Sequence, residues 1–336
     1  MNIAFTLCSN NYLAHAKTLV DSFLEFHTDF EFVIGLVDKY SDDYDYTLFE
    51  NAKIIPVEEL QIVNFNNLVQ KYNITELNTS VKPGYFHYLF QKFNAQKVIY
   101  IDPDILVKSR FEEVISILDT KNIVITPHIL SPVDDEFAPT DYHTIRGGVF
   151  NLGFIALSNY HSNINFLNWW HDRVIKYGYN DFSRNMFFDQ LWINYVPCFY
   201  DNYCILKHPG YNMANWNLHE RTIFMSEDKV VKVNGNFALR FFHFSSYHYN
   251  KPDIICSYLT RYNFNSRPDL VQLFEEYRSL LIKNDVEKIK LLPVYYYPLL
   301  QKKSLEISNT KFNKPIYRRV YNRVKKSIKF LVLGNG

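Results

Sequence analysis

The sequence has little cysteine, little glycine and almost no net charge. Four cysteines occur in 336 residues, at positions 8, 198, 204 and 256, and none of them has the two-residue spacing of a zinc-binding pair. A secreted, disulfide-stabilised framework would carry more, so we expect free thiols in a reducing compartment. The formal net charge of +1 gives no general reason to expect nucleic acid as a partner.

Long apolar runs are also missing. No stretch approaches the roughly 20 apolar residues that a bilayer crossing needs. The apolar run at 3–8 has no basic residues before it and is followed at once by polar Ser9-Asn10-Asn11. It therefore predicts a first β-strand rather than a signal peptide, and the chain is expected to be cytoplasmic.

Apolar strands alternate with segments of helical periodicity along most of the chain. The predicted strands are 3–8, 32–37, 52–57, 97–101, 122–126, 150–157 and 238–244, and helical spacing recurs at 13–24, 76–93, 163–177 and 269–282. The acid-rich stretch 127–146 is predicted to be a loop. This alternation favours an α/β fold in which helices flank a mostly parallel sheet. Ligands of such folds bind at the carboxyl ends of the strands.

Two aspartates, Asp102 and Asp104, directly follow the predicted strand 97–101. Carboxylates one residue apart at a strand end can face the same way, and Mg²⁺ or Mn²⁺ prefers such oxygen ligands while leaving positions for phosphate oxygens. The alternative is an Asp-Pro turn with solvated carboxylates. The apolar residues on both sides of the pair favour the metal site.

In this setting, Asp102-Pro103-Asp104 resembles the metal motif of GT-A fold glycosyltransferases, especially glycosyltransferase family 8 and related bacterial polysaccharide and lipopolysaccharide glycosyltransferases. The resemblance covers roughly residues 1–255. It implies a Rossmann-like GT-A catalytic domain there, with a nucleotide-sugar donor half at about 1–125 and an acceptor half at about 126–255. Residues 256–336 would form a helical extension.

Three later segments resemble further motifs of that family in the same order. The resemblance implies that Asn151 contacts the donor sugar, that Asp189 and Gln190 lie beneath the sugar ring, and that His243 is the third protein ligand of the metal. Lys251 would contact the diphosphate, although Ser246 stands where the family motif has glycine.

Some of these residues also have structural interpretations. Asp189 opens an apolar helical pattern and could instead cap that helix. Asn151 could pair with neighbouring backbone. The family places a basic, nucleotide-contacting residue before the metal strand, and here Lys82 and His87 are the candidates.

Two further groups of polar residues are predicted to bind substrates. The segment 208–221 mixes sugar-binding residue types around a tryptophan, and its candidates for the acceptor pocket are Asn212, Asn215, Trp216, His219 and Glu220. A structural loop with a buried tryptophan is the alternative. The second group lies in the first strand and just after it, and it is predicted to contact the nucleotide: Thr6, Ser9, Asn10 and Tyr12.

The expected activity is transfer of a hexose from a UDP-sugar (UDP-Gal, UDP-Glc or UDP-GlcNAc) to a lipid-linked or oligosaccharide acceptor, with Mn²⁺ or Mg²⁺ as cofactor. Family resemblance implies retention of anomeric configuration. An inverting enzyme would use Asp189 or Glu220 as base. Non-catalytic alternatives are a sugar-binding module and a peripheral scaffold. A nucleotidyltransferase is disfavoured because 7–13 contains no glycine.

The last thirty residues differ from the rest of the chain. Between 307 and 336 there are basic residues but no acidic ones, and apolar residues recur on one helical face. A basic amphipathic helix suits an anionic membrane surface. We therefore expect peripheral attachment to the inner face of the cytoplasmic membrane, with a surface helix packed on the core as the alternative.

Overall fold

Strands and helices alternate from the first residues onward. The computed structural model describes residues 1–225 and 230–296. The strands are β1 (Asn2–Cys8), β2 (Phe30–Leu36), β3 (Ala52–Pro56), β4 (Lys97–Ile101), β5 (Ile105–Val107), β6 (Ile123–Pro127), β7 (Phe150–Ser158), β8 (Asn180–Asp181), β9 (Met186–Phe187), β10 (Tyr203–Ile205), β11 (Met213–Ala214), β12 (Ile223–Met225), β13 (Val231–Val233), β14 (Phe237–Ala238) and β15 (Phe241–His243).

The α-helices are α1 (Leu13–Phe26), α2 (Phe65–Lys71), α3 (Ile74–Ser80), α4 (Lys82–Phe93), α5 (Glu112–Ile117), α6 (Asp141–Gly147), α7 (Tyr160–Tyr177), α8 (Val196–Phe199), α9 (Val271–Lys283) and α10 (Val286–Ile289). Short 3-10 helices occur at Asn10–Tyr12, Tyr46–Leu48, Val57–Leu60, Phe182–Arg184, Gln190–Tyr195, Asn215–Asn217 and Pro268–Leu270. No described helix combines the length and hydropathy needed to cross a bilayer.

The central sheet has seven strands in the order β10-β6-β7-β4-β1-β2-β3. Strand β7 runs antiparallel to both of its neighbours, β4 and β6, and all other pairs are parallel. The α/β class with a mostly parallel sheet is confirmed. Because both faces are covered, the inner strands β4, β6 and β7 are buried along nearly their whole length.

Helices on the two faces of the sheet create two apolar cores. Along β1, Ala4 and Cys8 belong to the core under α1, whereas Phe5 and Leu7 belong to the core under α4 and α7. This division follows from the alternation of side chains along a strand. Helices therefore pack on both faces of the sheet and support the edge at which β4 ends.

A second, three-stranded sheet has the order β11-β15-β5. Strand β5 immediately follows Asp104, and it pairs antiparallel with β15 so that His243 lies opposite Ile105. This long-range pairing brings a histidine from the distant end of the sequence to the carboxyl end of β4.

The elements differ from expectation in three places. The helix predicted at 76–93 with a breaker at Pro83-Gly84 is two helices, and the break falls just before Lys82, so that Pro83 lies in the first turn of α4, where its missing N–H does not matter. The predicted loop at 127–146 contains α6, which begins after Thr140. The strand predicted at 238–244 is divided between β14 and β15.

After residue 255, turns and irregular structure occupy 256–267, and the helices Pro268–Leu270, α9 and α10 follow. Phe274 and Tyr277 of α9 belong to the same core as α1, so α9 packs as part of the main fold. The domain boundary at 255 stays a prediction. The basic amphipathic segment predicted at 307–336 lies outside the described residues.

Candidate active site

A cluster of two carboxylates and one imidazole lies at the carboxyl end of β4. Ligand atoms of Asp102, Asp104 and His243 all lie within 4.8 Å of one another. Nε2 of His243 is 3.1 Å from Oδ1 of Asp104 and 3.8 Å from Oδ2 of Asp102. Two hard oxygen donors and one imidazole form a donor set that suits Mn²⁺ and accepts Mg²⁺. The residues therefore fit the metal that the resemblance implies.

The imidazole ring of His243 fits because position 153 has no side chain. A Cβ atom on Gly153 would lie 2.4 Å from Cε1 and 2.7 Å from Nδ1 of His243. The backbone at Gly153 also accepts a hydrogen bond from the N–H of Asp102 (2.8 Å). Gly153 on β7 thus contacts both a carboxylate-bearing residue and the imidazole of the cluster.

Burial and neighbouring charges shift the pKa values of all three residues of the cluster. Burial raises the pKa of Asp102 above its ordinary value, and nearby Lys82 and His243 reduce that rise. Burial acts in the same direction on Asp104, but the neighbouring imidazole outweighs it and holds the pKa of Asp104 below its usual range. Burial disfavours charged His243, yet the Asp104 carboxylate raises its pKa. Metal binding at such a site is coupled to release of the imidazole proton.

An ion pair is buried next to this cluster. Nζ of Lys82 lies 2.7 Å from Oδ2 of Asp189, and the side chains are 1% and 3% exposed. Lys82 also donates to the carbonyl oxygen of Leu152 (3.0 Å) and lies 4.1 Å from the ring centroid of Tyr100. Burial raises the pKa of Asp189, and the opposing Lys82 charge limits that rise. The side chain of Asp189 makes no capping hydrogen bond to the 3-10 helix that follows it.

Gln190 holds Asn151 and the neighbouring backbone in place through hydrogen bonds. Its Oε1 accepts from the backbone N–H of Leu152 (2.9 Å) and from Nδ2 of Asn151 (3.2 Å), while its Nε2 donates to the carbonyl oxygen of Gly147 (2.7 Å). Oδ1 of Asn151 accepts from the backbone N–H of Gly153 (3.1 Å). Asn151 thus makes the local backbone contact that was its alternative interpretation, and it still borders the cavity.

These side chains surround a cavity of about 620 Å³. The predicted residues that line it are Asp102, Asp104, His243, Lys82, Asn151, Asp189, Gln190 and Trp216. Trp216 is only 6% exposed and packs its ring edge-to-face against His243, with centroids 5.2 Å apart. Trp216 is therefore buried, as expected for a structural loop with a buried tryptophan, and it also forms part of the cavity wall.

Other predicted acceptor residues have structural partners and lie outside the lining. Glu220 accepts from the backbone N–H of Leu130 (2.9 Å) and from the hydroxyl of Ser131 (2.8 Å). His219 lies 3.3 Å from the Ser131 carbonyl oxygen. Asn212 is fully buried, and Asn215 donates to the Ser245 carbonyl oxygen (3.0 Å).

Three of the four predicted nucleotide contacts, Ser9, Asn10 and Tyr12, also have protein partners. Ser9 accepts from Asn78 (3.1 Å), and Asn10 donates to the Lys39 carbonyl oxygen (2.8 Å). Tyr12 stacks on a histidine, and Thr6 is fully buried.

Neither of two further basic candidates borders the cavity. Lys251 is exposed, and the ring of His87 hydrogen-bonds the Tyr160 hydroxyl (3.1 Å). Of the two basic residues proposed before the metal strand, the cavity therefore includes Lys82.

Several lining residues were missed by sequence reasoning. Helix α6 contributes His143, Thr144 and Arg146, and the segment around the β8–β9 hairpin contributes Phe182 and Phe187. The one available signal was the high density of phenylalanine between 182 and 188.

Two curated proteins of Bacillus subtilis are similar to the chain in sequence. The chain is 27% identical over 134 residues to the uncharacterized protein YfnF of Bacillus subtilis, which is 40% of this chain and 43% of YfnF. It is 21% identical over 246 residues to the uncharacterized protein YfnD of the same organism, covering 72% and 76% of the two chains. The matched region thus spans less than half of YfnF.

Solved structures of glycosyltransferases also resemble the fold. The galactosyltransferase LgtC, in complex with donor and acceptor sugar analogs, matches at 15% identity with a TM-score of 0.46, covering 84% of this chain and 96% of that one. The bifunctional WbbM matches at 14% identity with a TM-score of 0.49, covering 86% and 51%. The GlyE glycosyltransferase of Streptococcus pneumoniae matches at 15% identity with a TM-score of 0.45, covering 85% and 64%.

A match to a family model shows which protein family the chain belongs to. The model of glycosyl transferase family 8 matches residues 2–169, which is half of the 336-residue chain. That region includes Asp102 and Asp104 and extends through Asn151 on β7. The suspected relationship and its GT-A fold are confirmed, and the chain belongs to glycosyltransferase family 8.

Proposed function

We propose that the chain transfers a hexose from a UDP-sugar to a hydroxyl group of a glycan, with retention of anomeric configuration. The observation that carries this proposal is the Asp102, Asp104 and His243 cluster in the wall of a cavity that also contains Asp189 and Gln190. A cation held by the cluster would offset negative charge on a nucleoside diphosphate leaving group.

The chain's own groups act around the anomeric carbon. In the reaction, the bond between C1 and the β-phosphate oxygen breaks, C1 bonds to the acceptor oxygen, and the acceptor proton passes to a phosphate oxygen. Gln190 is fixed by three hydrogen bonds and orients the sugar. The carboxylate of Asp189 stabilises positive charge that develops on the sugar ring.

The carboxylates of the cavity favour retention over inversion. An inverting enzyme needs a carboxylate that is free to accept the acceptor proton. Within the described part of the chain, the carboxylates that line the cavity are Asp102, Asp104 and Asp189. The first two belong to the metal cluster and the third is paired with Lys82. Glu220, the other base considered, lies outside the lining and is occupied by backbone and hydroxyl donors.

A UDP-release screen tests the activity. UDP-Gal, UDP-Glc and UDP-GlcNAc are each incubated with the protein in Mn²⁺, Mg²⁺ or EDTA. We expect release with at least one donor in Mn²⁺, loss in EDTA and loss in Asp104→Ala, but not in the exposed control Asp42→Ala. NMR of the product then shows whether the anomeric configuration is retained. No release from any donor would favour a non-catalytic sugar-binding module.

The setting of the reaction is proposed from the sequence. The family and its bacterial relatives suggest surface polysaccharide or lipopolysaccharide synthesis, with a lipid-linked or oligosaccharide acceptor. The basic segment 307–336, which lies outside the described residues, would hold the enzyme at an anionic membrane. Co-sedimentation with phosphatidylglycerol vesicles tests this part, and a chain truncated after residue 306 should remain in the supernatant.

A further inference from the structure

Two groups of residues with different chemistry line the cavity. The metal cluster contacts Gly153 on β7, Asn151 on the same strand hydrogen-bonds Gln190, and Gln190 donates to the carbonyl oxygen of Gly147 at the end of α6. This series of contacts links the metal cluster to α6 through Gln190. We call the part of the cavity wall that is formed by α6 and by the β8–β9 hairpin, which packs against it, the far end of the cavity.

An aromatic surface forms part of this far end. The rings of Phe182 and Phe187 are stacked, with centroids 5.3 Å apart and an interplanar angle of 17°. Both line the cavity, and Phe182 is 42% exposed. The exposed edge of Phe182 offers an apolar contact for the C–H face of a sugar ring.

The hairpin is fixed relative to the donor side by an unusual backbone conformation. Phe188 has φ = 50°, in the left-handed region that bulky residues avoid. Its N–H donates to the carbonyl oxygen of Tyr179 (2.8 Å), which closes the hairpin. The next residue is Asp189, buried in its pair with Lys82. Backbone strain of this kind is concentrated at functional sites. Here the strained residue, Phe188, directly connects Phe187 of the aromatic surface to Asp189 on the donor side.

Arg146 adds a positive charge to the aromatic surface. Its Cζ lies 4.0 Å from the ring centroid of Phe182, and the residue borders the cavity. Arg146 forms no ion pair with any residue in 1–225 or 230–296. A guanidinium that stacks through its face keeps its in-plane N–H donors available. That planar fork matches a carboxylate or a phosphate.

We propose that Arg146, Phe182 and Phe187, which we call the aromatic rim, form an acceptor subsite for an acidic sugar. The C–H face of the sugar would pack against the exposed edge of Phe182, and its carboxylate or phosphate group would bind Arg146. The proposal rests on the proposed function, because the sugar at the rim is taken as the acceptor of the hexose held on the metal side. It adds the chemical class of that acceptor.

Binding of small probes tests the rim without requiring turnover. NMR titrations in the presence of UDP and Mn²⁺ would compare methyl β-D-glucuronide and glucose 6-phosphate with neutral methyl β-D-glucoside. We expect the better anionic probe to bind about tenfold more tightly than the glucoside. Comparing the carboxylate probe with the phosphate probe identifies which anion the site takes.

Two arginine variants and one ring variant make the test specific. Arg146→Gln should remove the preference for the anionic probe and leave glucoside binding and UDP affinity unchanged. Arg184→Gln is the matched control, because Arg184 is exposed on the same hairpin but is paired with Asp181 and does not line the cavity. Phe182→Ala should weaken binding of the glucoside as well, because the apolar contact does not depend on charge.

Three results would overturn the proposal. They are equal affinity of the wild-type protein for charged and neutral probes, an anionic preference that survives Arg146→Gln, and a loss of UDP affinity in that variant, which would place Arg146 on the donor side. Failure of the proposed function is a different result: no UDP release from any donor, measured separately, while the preference of the rim is still scored by binding.

Discussion

At position 153, a single methyl group decides where the His243 ring can lie. The Cβ atom of an alanine would be 2.4 Å from Cε1 of His243, a distance that forces the ring or the strand to move. We expect Gly153→Ala to weaken Mn²⁺ affinity at least tenfold and to cost about 1–3 kcal/mol of unfolding free energy through overpacking. Calorimetric titration of Mn²⁺ and urea unfolding measure the two effects.

Gly84→Ala is the control for that substitution. Its added methyl group would lie 3.3 Å from Cδ2 of Leu60, a flexible side-chain end, and Gly84 does not line the cavity. Mn²⁺ affinity should be unchanged in this variant. Equal Mn²⁺ affinity in Gly153→Ala and the wild type would show that His243 does not depend on the space at 153.

Tyr100 orients one carboxylate of the metal cluster. Its hydroxyl donates to Oδ1 of Asp102 (2.5 Å), which holds the carboxylate in one orientation. Tyr100→Phe should weaken Mn²⁺ affinity about tenfold. Tyr85→Phe removes another buried hydroxyl, which donates to the carbonyl oxygen of Ile55 (2.9 Å) on the edge strand β3, and it should leave Mn²⁺ affinity unchanged. The same loss in both variants would count against the orienting role.

At the scale of elements, the buried Lys82–Asp189 pair joins the first turn of α4 to the segment before the 190–195 helix. Lys82→Met leaves the Asp189 carboxylate buried without its partner, and we expect it to destabilise the fold by about 3–5 kcal/mol. The double variant Lys82→Met/Asp189→Leu should recover much of that loss while transfer activity stays low. Urea unfolding of the two single variants and the double variant measures the coupling; additive losses would mean that the pair does not act as a unit.

The elements that sequence reasoning found are those that a local pattern specifies. Strand β4 has an apolar run that is buried on both faces, and its bounds of 97–101 were predicted without error. By contrast, β15 has three residues, and its pairing with β5 depends on a contact across more than a hundred residues. His243 was therefore placed at the metal only through the family resemblance.

The far end of the cavity was not predicted because its elements carry weak local signals. Helix α6 has seven residues and lies in an acid-rich stretch that resembles a loop. The β8 and β9 strands have two residues each, and the left-handed conformation of Phe188 contradicts the usual preference of phenylalanine. Tertiary contacts, not propensity, fix these residues.

At the scale of the whole molecule, buried neutral histidines make stability depend on pH. Nε2 of His27 accepts from the N–H of Phe111 (2.9 Å), and its Nδ1 donates to the Phe23 carbonyl oxygen (3.0 Å). Burial lowers the pKa of His27 to about 4. Between that value and the ordinary pKa, the unfolded chain binds the extra proton, so stability falls as pH falls.

Urea unfolding at pH 7.5 and pH 5 measures this effect. We expect His27 alone to contribute about 1–2 kcal/mol to the loss of stability between the two values. His27→Gln should therefore show a smaller loss than the wild type, whereas the exposed control His161→Gln should lose as much as the wild type. An unchanged pH dependence in His27→Gln would contradict the assignment of a buried neutral imidazole.

The central claim is that Asp102, Asp104 and His243 hold a metal that makes the cavity a nucleotide-diphosphate site. Calorimetric titration of UDP into the protein tests it most directly, once with Mn²⁺ and once with EDTA, for the wild type and for Asp104→Asn. We predict that UDP binds to the wild type with Mn²⁺, and that binding is at least tenfold weaker in EDTA or in the variant. Equal UDP affinity under all of these conditions would contradict the claim.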